Sequence, residues 1–177
     1  MNRMRRVLWG AAIVALAAAG CGGGSAPAPA ADQHSGTPAP AKFLAGLHAA
    51  DLAKAIREKG LACKEPVTER DGMHWVCEAQ TPLIGYFAEY WGRVPGRIEY
   101  IKVVISQPNG PKPERATALL NIFANLRYQG AEPDKARDWI AANLDKGGQQ
   151  MFGPARYKLS GDLSRLVLEI KAPGSDW

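Results

Sequence analysis

Groups that build catalytic and metal centres are scarce in this chain. Its three histidines stand at positions 34, 48 and 74, no two of them at metal-ligand spacing, and no H-E-x-x-H occurs. No C-x-x-C is present to suggest a zinc or redox pair. Ser106, Ser160, Ser164 and Ser175 fall at expected strand ends or turns and none lies in a G-x-S-x-G elbow. Glu65, Glu69 and Asp71 form a small acidic group, but they lack the alternating oxygen ligands of a calcium loop and read as solvated turn residues. These absences argue against an enzyme and imply neither metal nor cofactor. An arginine-rich cluster is also missing. Of 22 basic residues, Arg3, Arg5 and Arg6 crowd the first six positions, which leaves 19 basic against 17 acidic residues in the rest of the chain. A near-neutral balance of that kind gives a nucleic-acid role little support.

Long hydrophobic runs are equally scarce. The only one, residues 7–19, is too short to span a bilayer comfortably and follows the three arginines. It ends in Ala18-Ala19-Gly20-Cys21, a small-small-Gly-Cys box. Arginines, apolar run and box together resemble a bacterial lipoprotein signal peptide, with Ala18 standing where that class prefers leucine. The resemblance covers only the first two dozen residues. It implies that residues 1–20 are removed, that the Cys21 thiol carries a diacylglyceryl group, and that the protein is held in the cell envelope. Burial contributes about 0.8 kcal/mol per methylene and stable anchoring takes two chains, which such a group supplies. Gly22 follows the cysteine where an inner-membrane retention signal would usually be aspartate, so in a two-membrane organism the resemblance implies the outer membrane, facing the periplasm. Arg5-Arg6 also raises twin-arginine export, but the flanking residues match that signal poorly and ordinary unfolded secretion is favoured.

Three cysteines are an odd number for an exported chain. Lipidation of Cys21 resolves the parity and leaves Cys63 and Cys77, for which a structural disulfide is the default in an oxidising compartment. The loop so closed, about 15 residues, is worth roughly 3 kcal/mol in the chain-entropy model.

Residues 21–41 comprise the lipidated cysteine and a Gly, Ala, Pro, Ser and Thr stretch that cannot bury enough apolar surface to order itself. As a coil this tether reaches about 25 Å, and as extended polyproline II about 60 Å. Residues 42–177 read as one domain, large enough for a single core.

Within it, Phe43, Leu44 and Leu47 lead into a helix with Leu52, Ala55 and Ile56 on one face, ended by Gly60. A short strand is expected over 61–65. Met73, Trp75 and Cys77 then alternate with His74, Val76 and Glu78, which puts Cys77 on the core face of a second strand. Residues 83–91 and 97–106, joined by a Pro-Gly turn, make a long hairpin. After the proline-rich stretch 108–113, one helix carries Ala116, Leu119, Leu120, Phe123 and Leu126, and another, opened by Pro133, carries Ala136, Trp139, Ile140 and Leu144. Two alternating segments close the chain: 150–159, broken by Gly153-Pro154, and 165–172, with a turn at Gly161-Asp162 between them. The expected architecture is α+β: an antiparallel sheet of about six strands with about three helices on one face, towards which Leu166, Leu168 and Ile170 point.

Among Tyr86, Phe87, Tyr90 and Trp91, strand alternation pairs Tyr86 with Tyr90 and Phe87 with Trp91 on opposite faces. One pair belongs to the core. The other could stack on sugars or anchor a partner, and Tyr86 and Tyr90 are the pair singled out for that role, against the simpler reading that aromatics strengthen cross-strand pairs. The leading functional expectation is a lipid-anchored envelope protein whose domain binds another envelope component, most readily a protein, without catalysis. A module for a small apolar or glycan ligand held between sheet and helices is the alternative. An envelope hydrolase, requiring His74 beside a carboxylate and a hydroxyl in one cleft, ranks third.

Overall fold

In a computed structural model, residues 42–80, 84–107, 113–162 and 164–177 are described. Residues 1–41, which include the expected leader, Cys21 and the expected tether, lie outside them, as do residues 81–83, 108–112 and 163. Among the described residues no helix is long and apolar enough to cross a membrane.

Among the described residues eleven elements follow in chain order: α1 (Ala49–Arg57), β1 (Ala62–Cys63), β2 (Val67–Glu69), β3 (Gly72–Gln80), β4 (Gly85–Gly92), β5 (Tyr100–Ser106), α2 (Pro113–Ala124), α3 (Pro133–Ala142), β6 (Gly148–Phe152), β7 (Ala155–Asp162) and β8 (Arg165–Lys171). The strands form one eight-stranded antiparallel sheet in the order β1-β3-β4-β5-β8-β7-β6, and β2 also pairs with β3. Two meanders, β3-β4-β5 and β6-β7-β8, therefore meet along β5 and β8, which pair over seven positions from Tyr100↔Lys171 to Ser106↔Arg165.

The α+β architecture is as the patterning implied, with eight strands in place of six. One addition is a tight reversal within a segment expected as one strand, and the other is a second short strand that, like β1, runs antiparallel to β3. The segment expected as one strand over 150–159 is a hairpin: Phe152 pairs with Ala155 across a two-residue Gly153-Pro154 loop. Gly153 takes φ 57°, and a Cβ there would stand 1.8 Å from the Gly130 carbonyl oxygen, so only glycine fits. The other addition, β2, is three residues long and answers β3 through Val67↔His74. The expected strand over 97–106 is regular only from Tyr100, because Arg97 instead forms an isolated bridge to His48.

One face of the sheet carries the core. Trp75, Cys77, Ala88, Tyr90, Ile101, Val103, Ile105, Leu166, Leu168, Ile170, Tyr157 and Leu159 join a single buried cluster with Leu52 and Ile56 of α1, Leu120 and Phe123 of α2, and Ala136 and Ile140 of α3. Register explains the continuity. Cys77, Ala88, Val103, Leu168 and Leu159 are successive cross-strand partners, and so are Trp75, Tyr90, Ile101, Ile170 and Tyr157. A side chain of this size contributes about 1.5–3 kcal/mol on full burial, so these two rows account for much of the driving force. The Tyr157 hydroxyl, 3.4 Å from the Phe123 carbonyl oxygen, and the edge contact of Trp139 with Phe152 place α2 and α3 over this same face. Cys63 and Cys77 are direct cross-strand partners and form the disulfide, which ties the two-residue β1 to β3.

Candidate functional site

Alternation that buries one set of strand residues turns the other set away from the helices. Across this outer face runs a cross-strand row: Val67, His74, Trp91, Tyr100, Lys171, Arg156 and Met151, each the register partner of the next. A second row is Val76, Glu89, Lys102, Glu169, Lys158 and Gln149, and a third holds Glu78, Phe87, Val104, Val167 and Ser160.

The aromatic part of the first row is stacked on itself. The His74 ring lies 4.5 Å from Trp91 at an interplanar angle of 6°, Trp91 lies 5.1 Å from Tyr100, and Trp177 returns to within 5.9 Å of Trp91. Cations cap the stack, with Arg93 over Trp177 at 5.5 Å and Lys171 over Tyr100 at 5.2 Å. Glu99, only 4% exposed, holds the corner together. Its carboxylate accepts from the Arg93 backbone N–H at 2.9 Å, from Arg93 Nη1 at 2.7 Å and from Trp177 Nε1 at 3.3 Å. Three donors on a buried carboxylate satisfy the condition under which such a charge is tolerated.

His74 Nδ1 lies 2.9 Å from Glu69 Oε1. A carboxylate only accepts, so Nδ1 carries the proton of that bond. Nε2 stands 3.5 Å from Glu89 Oε2 without hydrogen-bond geometry, and Glu89 pairs with Lys102 at 3.2 Å. The groups at this imidazole are thus two carboxylates and an indole, and no hydroxyl is among its hydrogen-bond partners. The Ser164 hydroxyl donates instead to Asp162 in the β7–β8 turn at 2.6 Å.

Further along the outer face, Gln149, Arg156, Lys158, Glu169 and Lys171 line a shallow depression of about 170 Å³. The Tyr100 hydroxyl donates to Glu169 at 2.5 Å, and Lys158 Nζ lies 3.2 Å from the other carboxylate oxygen. Burial works against ionisation of Glu169, but Tyr100, Lys158 and Lys171 outweigh it and hold the carboxyl below its usual range. Burial, the hydrogen bond to Glu169 and the carboxylates of Glu169 and Glu89 push the Tyr100 hydroxyl far up, so it stays a donor.

The two tyrosines singled out from the sequence lie on the helix-covered face, and the pair turned outward is Phe87 and Trp91. Tyr90 is 0% exposed and stacks on Trp75 at 5.3 Å. Burial pushes its hydroxyl up to about 12, partly offset by Arg57, and among the described residues the hydroxyl has no hydrogen-bond partner. Tyr90 is therefore core, which corrects its candidacy as a contact residue: no partner reaches it without opening the fold. Tyr86 is half-buried. With Lys59, Gly60, Leu61, Ala79, Ala118, Leu119 and Ile122 it lines a cleft of about 390 Å³ between α2 and the adjoining end of the sheet. Cys63 and Cys77 are brought together, and Cys21 lies outside the described residues.

The cationic depression went unread in the sequence, although Arg156-x-Lys158 and Glu169-x-Lys171 carry its signal. Period-two alternation puts each pair on one face, and the hairpin between them brings the pairs side by side. Nothing in the sequence announces Trp177, in the irregular C-terminal stretch after β8, as a stacking partner of Trp91, 86 positions away.

Fold and site define an α+β protein built on one antiparallel sheet, with helices on one side and a charged, aromatic outer face on the other. A scan of protein-family models, a search of curated proteins and a search of solved structures each return no match.

Proposed function

We propose that this chain is a lipid-anchored protein of the cell envelope, attached through Cys21, with residues 21–41 as tether and residues 42–177 as a non-catalytic domain that binds another envelope component, most readily a protein. The arginines, the short apolar run and the small-small-Gly-Cys box support the anchor. The observation that carries the binding role is the outer face, where rows of aromatic and charged side chains extend over β3 to β8 on the side away from the helices. A photocrosslinker placed at Val167, on that face, is expected to give one reproducible adduct in intact cells, and the same group at Lys54 of α1 to give none. Equal labelling from both positions, or none from Val167, defeats the reading. The anchor is tested separately: Cys21→Ala is expected to move the protein from the detergent phase to the aqueous phase and to remove a lipid mass.

A second reading, a module for a small apolar ligand, is supported by the cleft at Tyr86. Its walls are mostly aliphatic, and its roughly 390 Å³ falls within the range of small-molecule sites. A ligand that co-purifies with the native chain, raises its melting temperature when added back, and is lost in Tyr86→Ala would favour this reading over the first.

A further inference from the structure

The depression on β6, β7 and β8 differs from the rest of the outer face in its charge balance. Elsewhere on that face acids and bases compensate each other: Glu89 lies between His74 and Lys102, and Glu99 is matched by Arg93. Here three cations, Arg156, Lys158 and Lys171, surround the single carboxylate of Glu169. That carboxylate is already taken by the Tyr100 hydroxyl and Lys158. Among the described residues Lys171 lies over the Tyr100 ring at 5.2 Å and acts on Glu169 through space without forming an ion pair, and Arg156 has no acidic partner. Arg156 and Lys171 are direct cross-strand partners, a like-charged pair that costs stability when nothing lies between the charges. The Gln149 amide completes the rim with a neutral donor.

We propose that Arg156, Lys158, Lys171 and Gln149 form a binding site for the phosphomonoester headgroup of a membrane lipid. Charge matching favours a phosphomonoester over a single carboxylate, since the site is short of about two negative charges and a phosphomonoester carries about 1.5 to 2 at neutral pH. The guanidinium of Arg156 can fork onto two of its oxygens while Lys171 supplies a point charge. Size argues that the group arrives on a larger body. The depression, about 170 Å³, is well below the roughly 300–1,000 Å³ of sites that enclose a whole small molecule, so it takes a charged group and leaves the remainder outside. The side chain beside Arg156 in register is Met151, 50% exposed, which gives an apolar neighbour suited to the boundary between headgroup and acyl chain. Strand twist, about 20–25° per step, turns the Val67 end of the row well away from the Met151 end, so this corner can lie against a flat surface without the other. The choice of a lipid as the carrier rests on the envelope-anchored reading above.

The test uses the full chain carrying Cys21→Ala, so that no acyl anchor contributes. Vesicles of phosphatidylcholine alone, with phosphatidylglycerol, and with phosphatidic acid separate neutral, phosphodiester and phosphomonoester surfaces. Saturable binding is expected to phosphatidic acid vesicles, weaker binding to phosphatidylglycerol and none to phosphatidylcholine, with inorganic phosphate competing. Arg156→Gln and Lys171→Gln are each expected to weaken binding about tenfold at an unchanged or slightly higher melting temperature, since either relieves the like-charged pair, while Lys54→Gln, which removes the same charge from exposed α1, leaves binding unchanged. Equal loss in all three variants, or equal binding to both anionic surfaces, would reduce the effect to net charge and overturn the site. Binding of inorganic phosphate without binding of vesicles would overturn the lipid source. Because Cys21 is absent throughout, failure here leaves the anchor untouched, and failure of native Cys21 to partition into membranes leaves this result standing.

Discussion

The two faces of the sheet are built from the same strands, and neighbouring residues have opposite fates. On β8, Leu166, Leu168 and Ile170 are buried beneath the helices, while Arg165, Val167, Glu169 and Lys171 turn outward. The covered face is stabilised by continuity: two unbroken apolar rows run across five strands and meet the stripes of three helices. The outer face has no such partner among the described residues and is organised by pairing, ring on ring and charge on charge. Loss of a side chain from a close-packed row leaves a cavity that neighbours cannot fill. Loss of one from a solvated row leaves water in its place. The covered face therefore carries most of the stability, and the outer face is free to carry recognition.

The sharpest way to break that comparison is at adjacent positions. Leu168→Ala is expected to cost about 2–5 kcal/mol and Val167→Ala roughly 1 kcal/mol or less, both read from urea unfolding midpoints. Equal costs would mean that the outer face is packed against something as closely as the helix side is. The disulfide sharpens the comparison at the sheet edge. The Cys63→Ala, Cys77→Ala double variant is expected to lose about 3 kcal/mol, because the bond closes a loop of about 15 residues in the unfolded chain. A loss in denaturant stability below about 1 kcal/mol would show that β1 is held by packing alone.

Smaller effects are expected from the aromatics. Trp91→Ala removes a half-buried ring that contacts His74, Tyr100 and Trp177, and is expected to cost about 1–2 kcal/mol. Tyr90→Phe, two layers of chemistry away on the covered face, is expected to leave the melting temperature unchanged or raise it, because the hydroxyl it removes is buried and unpartnered. A clear fall in Tyr90→Phe would reveal a hydrogen bond to that hydroxyl in solution.

The smallest expected effect is electrostatic. The Glu169 carboxyl is held below its ordinary value of 4.5 in the folded chain, so its contribution is fully present above that value and is lost as pH falls through the lower folded value. The stability gap between the native chain and Glu169→Gln is thus expected to be widest near neutral pH and to close in acid. A gap that widened on acidification, in melting temperatures taken across that range, would reverse the sign and refute the assignment.

Much of the covered face was legible because burial writes a period. The three-and-four spacing of Ala116, Leu119, Leu120 and Phe123, and the two-residue spacing of Leu166, Leu168 and Ile170, each describe one apolar side, and all of these residues are buried. Alternation also paired Tyr86 with Tyr90 and Phe87 with Trp91. It could not say which pair faced the helices, because both pairs are aromatic and hydrophobicity does not distinguish them. Strand number is underestimated at Gly153-Pro154, where the break in the pattern does not by itself say that the chain reverses; the buried set changes parity there, from Phe152 to Ala155, Tyr157 and Leu159. The candidate site was the least legible part. Arg156 and Lys171 are neighbours only because β7 and β8 pair in one register, and a slip of one residue would turn one of them into the core.

The sequence by itself determined the local elements, the helical stripes, the alternation of each strand and the expectation of a Cys63–Cys77 bond, because these follow from spacing and composition within short windows. Only the tertiary structure decided that β5 and β8 join the two meanders, that Trp177 closes on Trp91, that Glu99 is buried beneath Arg93, and that three cations gather around Glu169. Those arrangements depend on contacts between distant segments, and their free energy is set by register and packing across the whole sheet rather than by any run of residues.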